Sequence, residues 1–385
     1  MAAIFTRLAL SNWRNFKRVD VPLSQRIFVY GPNASGKSNL LDAIRFLRDV
    51  AAPGGSLVRA IEDRRGLSHL RSLHAGGTSN VVIEIDVTTS GDPATWTYHL
   101  ELSGSEAKRK SLRIESEVVR HGSEVVLSRP GPDEKDERLL TQTHLEQISQ
   151  SLRFRPLADA LASVVHVHVV PQVARTPSRA EELSRREAPG SDFIDQLAKL
   201  PEKRQKQTLK RIERRLQAAV PRFSELTVKR DELGRPHLEA KYAHWRRRGG
   251  WQNEQEFSDG TLRLVGLLWA IDYGSGPLLL EEPELSLHRE VIRQLPRLFT
   301  RAALKANRQF FVSTHAEEMI ADRGIDPSEL LILEPSDHET KVTVGKEKPE
   351  LQNAVRAGIP LARMVTAMTK PQNVDQLVLP LEGAA

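Results

Sequence analysis

Apolar and polar positions along the chain follow two periods, and the change from one to the other divides it into segments. Ile4 to Leu10 has the apolar content of a strand, and a hairpin leads on to Arg26 to Tyr30 (RIFVY), a β-branched and aromatic run ending at Gly31. Such a run predicts a buried strand that enters a turn. From Ser38, Leu40, Leu41, Ile44, Leu47 and Val50 recur at helical spacing until AAPGGS at 51–56 breaks the pattern. Between 81 and 130 the period becomes two. Ile83, Ile85 and Val87 alternate with Glu84 and Asp86, Tyr98, Leu100 and Leu102 alternate next, and Leu112, Ile114, Ser116 and Val118 alternate with charges. This predicts an antiparallel sheet with one wet face. The polar stretch SRPGPDEKDER at 128–138 closes that module. A helix to about Leu161 follows, then the strand VVHVHVV ending at Pro171, and a heavily charged helical stretch over 178–220. From Glu256 the pattern predicts a helix, the apolar strand PLLLEE, a helix after His288, the strand QFFVST, a helix from Ala316 and a tail from Lys370.

Composition narrows the classes. The chain has 385 residues, 28% charged and 39% hydrophobic, an ordinary globular balance with room for a sizeable core. No stretch approaches the roughly 18 apolar residues that span a bilayer, and Trp13 and Arg14 interrupt the N-terminus too early for a signal peptide, so a cytoplasmic protein without a membrane partner is expected. With no cysteine there is no disulfide framework, thiol nucleophile or cysteine-bound metal. The net charge of +6 leans toward nucleic acid without deciding it. No internal repeat or sustained heptad pattern is present.

The chemistry concentrates in two places. Gly31, Pro32, Asn33, Ala34, Ser35, Gly36, Lys37 and Ser38 fit G-x-x-x-x-G-K-[ST] in full between an expected strand and an expected helix, with Asn39 next. The glycines let backbone N–H groups converge on phosphate, the helix directs its positive end there, Lys37 neutralises terminal phosphates and Ser38 ligates Mg²⁺. ATP and Mg²⁺ are the expected ligands. The second place is the end of the strand Leu278–Leu280, followed by Glu281, Glu282, Pro283 and Glu284. A carboxylate there can hold Mg²⁺ and its neighbour can orient attacking water. Glu281 is the expected metal-side residue and Glu282 the catalytic, water-polarising one. An acidic helix start is the bland alternative.

EFSDGTLRLVGLLWAI (256–271), LLLEEPELSLH and FFVSTHAEEM together resemble the signature, Walker B, D-loop and switch-histidine series of ABC-type ATPases. More narrowly, NWRNF, GPNASGKSNLLDAIRFL and EEPELSLH resemble the AAA-like ATPases of the OLD, RecF and SMC group, closest to the OLD-type subset, over about 130 residues at the two ends of the chain. The resemblance implies an α/β fold, an ABC-type P-loop NTPase head with a RecA-like mixed sheet, carrying an antiparallel β-subdomain and an inserted helical subdomain. It also implies roles. Ser258, Asp259 and Gly260 stand at the signature loop, which reaches in trans to the γ-phosphate on a second protomer, so catalysis would need a homodimer. His315 stands at the switch histidine, Ser286, Leu287 and His288 in the D-loop, and Arg14 at an arginine that touches nucleotide phosphates. Gln172, after VVHVHVVP, is the candidate Q-loop residue on the metal, or else a loop glutamine without a ligand. Glu281 stands where Asp is commoner, which lengthens the reach to the metal. An OLD nuclease carries a Toprim domain with an Asp-x-Asp pair; only 70 residues follow His315 here and none contains that pair. This implies an ATPase without its own nuclease.

Two basic clusters, Lys203 to Arg215 with Lys210, Arg211, Arg214 and Arg215, and Trp245, Arg246, Arg247 and Arg248, suit phosphate neutralisation and base stacking, or a solvated helix face. The C-terminal Gln376, Leu377, Val378, Leu379, Pro380 and Leu381 resemble peptides that dock on the bacterial β sliding clamp, or else form a terminal strand. The expected organisation is an ATPase core over 1–75, the β-subdomain over 76–140, a helical basic insertion with the Q-loop region over 141–250, the second core part over 251–345 and a C-terminal helix with tail over 346–385. Three functions follow from the residues and the resemblance. One is a dimeric ATP-hydrolysing switch in DNA maintenance or anti-phage defence that controls a separately encoded effector such as a nuclease. Another is a RecF-like, clamp-associated DNA repair factor, and the third a non-hydrolysing ATP-sensing scaffold.

Overall fold

A computed structural model describes residues 3–72, 79–105, 110–131, 136–176, 189–243 and 250–370. A mixed six-stranded sheet lies at the centre, in the order β15 (Thr340–Val344), β14 (Leu330–Pro335), β3 (Arg26–Tyr30), β13 (Phe310–Thr314), β12 (Leu278–Glu281), β8 (Val165–Val167). Only the β14–β15 pair is antiparallel. Strands buried on both faces read as continuous apolar runs, as RIFVY and LLLE do. Successive residues serve opposite cores. Ile27, Val29, Leu279 and Phe311 face one cluster, and Phe28, Tyr30, Leu278, Leu280, Phe310 and Val312 the other.

The first cluster fills the space between the mixed sheet and an antiparallel sheet of order β2 (Phe16–Pro22), β1 (Ala3–Trp13), β4 (Val81–Thr89), β5 (Trp96–Ser105), β6 (Lys110–His121), β7 (Glu124–Arg129). Between these layers runs α1 (Lys37–Ala51), its face of Leu40, Leu41, Ile44, Leu47 and Val50 buried as their spacing predicts. On the opposite side of the mixed sheet, α2 (Arg155–Ala162) aside, pack α3 (Glu202–Ala219), α4 (Asp259–Asp272), α5 (Leu295–Ala306), α6 (Pro349–Arg356) and α7 (Leu361–Thr369). α4 is nearly all apolar because the layers around it exclude water; Leu262, Val265 and Ala270 are fully buried.

Several expectations change in detail. The alternation expected along β6 slips by one residue, because Glu101 pairs with Ser116 but Leu102 with Ile114; this bulge turns Glu117 and Val119 inward, and Val118 away from the core. Glu117 tolerates full burial by accepting from Arg129 Nη1 (2.9 Å), Tyr98 Oη (3.1 Å) and the backbone N–H of His144 (2.9 Å). Of the helical stretch expected over 178–220, residues 178–188 lie outside the described residues, and the rest is divided at Pro201 into a short helix Phe193–Ala198 and α3. Inside the segment expected to be helical to 250 lie β9 (Phe223–Arg230) and β10 (Pro236–Tyr242), which form a three-stranded antiparallel sheet with β11 (Trp251–Asn253) just beyond it. Phe223, Leu226, Leu238 and Ala240 are buried, and in β10 Pro236, Leu238 and Ala240 alternate with His237, Glu239 and Lys241 in a period of two. Only Val165–Val167 of VVHVHVV pair as a strand, and a 3-10 turn, Glu317–Ile320, replaces the helix expected from Ala316. Among the described residues no helix is long and apolar enough to cross a membrane.

Candidate nucleotide site

β3 ends at Tyr30 and α1 begins at Lys37, so residues 31–36 form a loop at the carboxyl end of the central sheet. Its glycines are sterically required. A Cβ on Gly31 would lie 2.7 Å from Ser35 Oγ and 3.0 Å from Leu333, and one on Gly36, where φ is 95°, would lie 2.2 Å from Asn15 Nδ2. Ala34 also takes a positive φ of 62°. The loop is braced from the β1–β2 hairpin. Asn15 Nδ2 donates to Ser35 O (2.9 Å) and Thr340 Oγ1 (2.8 Å), while Asn39 Nδ2 donates back to Asn15 Oδ1 (2.8 Å). Trp13 Nε1 adds a bond to Asn39 O at 2.8 Å. Arg14 turns to α1 instead of the loop, its guanidinium on Asp42 at 2.7 Å, where Arg64 also binds.

No side chain caps α1 and no acidic residue occupies its first turn, so its positive end faces the loop uncompensated. Lys37 is 6% exposed, donating to Gly31 O (3.0 Å) and Pro32 O (3.1 Å). Burial pushes its amine below the ordinary value, with Glu282 and Glu284 opposing. The buried Ser35 hydroxyl has no hydrogen-bond partner among the described residues.

Parallel pairing of β3, β13 and β12 carries the acidic residues to this loop. Glu281, at the end of β12, receives His166 Nε2 at 2.6 Å and a hydrogen bond from Ser38. Burial works to raise its pKa, but these bonds and the neighbouring histidines hold it at about 2. Burial pushes His166 below its ordinary value, while its hydrogen bond with Glu281 and the carboxylate charge act to raise it. Glu282 adopts a φ of 42°, and its Oε1 lies 3.2 Å from His315 Nδ1 and 3.9 Å from Lys37 Nζ. Glu284 is 4% exposed and holds the end of β13 by accepting from Thr314 Oγ1 (2.6 Å) and His315 N (3.3 Å); burial raises its pKa.

Ser258 caps α4, accepting from Thr261 N at 3.2 Å. Asp259 is tied to Arg175 Nη2 at 2.6 Å, and Gly260 packs so closely on the loop after β12 that a Cβ would stand 2.3 Å from Ser286 O. Ser286 has a φ of 63°, Leu287 N donates to Glu284 O at 3.0 Å, and His288 caps the short helix Arg289–Ile292. The candidate signature and D-loop segments are thus in contact within one chain. Gln172 is exposed on the short helix Pro171–Ala174, with no side-chain hydrogen bond among the described residues. His166, Asn15, Arg175 and the anchoring role of Glu284 were not anticipated. VVHVHVV contained a signal for the first, since histidines two apart in an apolar strand share one face.

On α3, Lys210 and Arg214 are exposed, whereas Arg211 and Arg215 turn to Asp272 at 3.0 and 3.7 Å. Trp245 and Arg246 to Arg248 lie outside the described residues, as do Gln376, Leu377, Leu379 and Leu381. A different tryptophan, Trp251, is exposed on β11 with Lys229 Nζ 4.8 Å and Lys241 Nζ 5.9 Å from its ring centre.

A Gly-rich loop after the first core strand, acidic residues at the end of the third and a histidine after its neighbour have the layout of an ABC-type P-loop head. Residues 26–320 match the family described as "AAA domain, putative AbiEii toxin, Type IV TA system", and the chain belongs to it. Stretches of 47 and 100 residues are 51% and 32% identical to the DNA replication and repair protein RecF of Chloroflexus aggregans and of Chlamydia abortus. They cover 12% and 26% of this chain and 12% and 24% of those relatives, so the likeness spans at most about a quarter of either. An SMC head bound to the C-terminal winged-helix domain of ScpA superposes with a TM-score of 0.53 at 15% identity, over 88% of this chain and 97% of that one. A Pyrococcus furiosus SMC head with an extended coiled coil, bound to the C-terminal domain of ScpA, gives 0.51 at 15%, over 92% and 100%.

Proposed function

We propose that this chain binds ATP with Mg²⁺ and hydrolyses it as a nucleotide-sandwich homodimer, acting as a switch in DNA maintenance or anti-phage defence. The observation that carries the reading is the convergence on Glu282 of His315 Nδ1 at 3.2 Å and Lys37 Nζ at 3.9 Å. A carboxylate, a histidine and a phosphate-neutralising cation at one point are what hydrolysis of a terminal phosphate requires. The residues fit both ligands. Gly31 and Gly36 let the loop pack closely on Leu333 and Asn15 in the turn that precedes α1, α1 offers an uncapped positive end, and Ser38 with Glu281 supplies hard oxygen donors. Mg²⁺ keeps several waters and takes one or two side chains plus substrate phosphates, so the pair Ser38 and Glu281 suffices; Gln172 is not needed. Bound there, Mg²⁺ would neutralise charge developing on the phosphate oxygens.

The other steps belong to the chain. Lys37 gives up its two loop carbonyls for phosphate oxygens, Glu282 orients and deprotonates water, and His315, fixed through Glu284, reports whether the terminal phosphate is there. Ser258 to Gly260 of the second protomer would complete each site, so hydrolysis would release the dimer. The family description names a toxin–antitoxin system, which supports the defence branch of this reading. The RecF matches and the cations on α3 favour a second reading, a DNA-binding repair factor associated with the sliding clamp. ATPase rates with and without double-stranded DNA, in native protein and in Glu282→Gln, separate these. Losing the base should lower turnover by about 10²–10⁴-fold with ATP still bound. DNA stimulation would favour the repair factor, and absence of turnover in native protein would leave only an ATP-sensing scaffold.

A further inference from the structure

The metal-side acidic residue is a glutamate, one methylene longer than an aspartate and with one more torsion to restrain. The neighbouring strand supplies the restraint. β8 is the edge strand of the mixed sheet, paired with β12 so that His166 stands opposite Leu279. Alternation places Leu279 and Glu281 on the same face, toward α1, and His166 projects to that face from the adjacent strand. Its Nε2 lies 2.6 Å from Glu281 Oε1, with the histidine side chain only 2% exposed. Its other ring nitrogen, Nδ1, is buried and has no hydrogen-bond partner among the described residues, so the bond to Glu281 is the ring's one polar contact among them. The Ser38 hydroxyl, from the first turn of α1, reaches the same carboxylate.

We infer that His166 is a positioning residue for the metal site, fixing the long Glu281 side chain so that its carboxylate and the Ser38 hydroxyl are presented together to Mg²⁺·ATP. The inference rests on the proposed nucleotide reading. It differs from a purely structural role because a buried histidine that only filled space would be replaceable by leucine without change in metal dependence. Groups that orient a metal ligand typically affect metal affinity about 10–100-fold.

The test measures binding of a fluorescent ATP analogue to the full chain, first in EDTA and then against increasing Mg²⁺ or Mn²⁺. His166→Leu should raise the metal concentration at half-saturation about 10-fold or more, leaving metal-free nucleotide affinity unchanged. His166→Gln, which keeps an N–H donor, should recover part of the loss. In a Glu281→Asp background the shorter side chain falls away from His166, so His166→Leu should add little further loss. A metal midpoint in folded His166→Leu equal to that of native protein would overturn the inference, and so would an equal drop in metal-free binding. Should His166→Leu not fold, the Gln variant and the Glu281→Asp pair decide in the same way. Native protein that binds nucleotide with no metal dependence would overturn the nucleotide reading itself, a result distinct from the others.

Discussion

Gly260→Ala is the substitution whose cost follows most directly from the geometry. The added Cβ would stand 2.3 Å from Ser286 O, and the next atom met, Ser286 C, is at 3.3 Å. An ordinary carbon-to-oxygen approach is about 3.3–3.6 Å, so the start of α4 and the loop after β12 must separate by roughly 1 Å. Neither side yields easily. α4 is anchored by Leu262, Val265 and Ala270, all fully buried, and by Arg308, which donates to Ala270 O (2.8 Å), Ile271 O (3.1 Å) and Gly276 O (2.7 Å). The loop is held through Leu287 N on Glu284 O and by Glu284 on Thr314. Overpacking of this kind costs about 1–3 kcal/mol. Because Glu284 also fixes His315, the displacement should reach His315 and, under the proposed function, lower ATP turnover more than nucleotide affinity. Urea unfolding and steady-state ATPase assays on Gly260→Ala measure the two effects. Gly250→Ala, where a Cβ would meet nothing within 4 Å, is the control and should change neither. Native stability and native turnover in Gly260→Ala would refute the contact between the start of α4 and the loop after β12.

Two further outcomes follow from buried charge. Arg129→Met strands the fully buried Glu117 carboxylate and should cost about 3–5 kcal/mol in urea unfolding, read most clearly in probes of the antiparallel sheet. The folded pKa of Glu281 lies at about 2, below its ordinary 4.5, so its contribution to stability is present above 4.5 and is lost as pH falls toward 2. Glu281→Gln should therefore flatten the acid side of the stability profile over that range; unchanged slopes in urea titrations at successive pH values would contradict the depressed pKa.

Local chemistry was legible before any coordinates. RIFVY, GPNASGKS and the spaced leucines of α1 specify strand, loop and helix from propensity, glycine sterics and a period of 3.6, all of which act between near neighbours. The acidic run after Leu280 was legible for the same reason, as was the alternation of β4 and β5. The slip at the bulge in β6 was not, because one extra residue changes register without changing composition. β9 buries only Phe223 and Leu226 and β11 is three residues long, so these two give a weak pattern, whereas β10 carries a legible alternation in PHLEAKY.

Which residues meet was decided by the sheet. Lys37 and Glu282 are far apart in the chain and come within 3.9 Å because β3, β13 and β12 lie side by side and parallel, with every strand end at one edge. The same register turns His166 from an unremarked residue of an apolar strand into the partner of Glu281, and packing of α4 on the loop after β12 makes Gly260 indispensable. Sequence alone determined the parts of the site and their chemistry, since each part is a run of adjacent residues. Their distances, the depressed pKa of Glu281 and the bracing of Asn15, Glu284 and Arg175 arose only in the tertiary structure, where burial removes water and brings distant groups within hydrogen-bond reach.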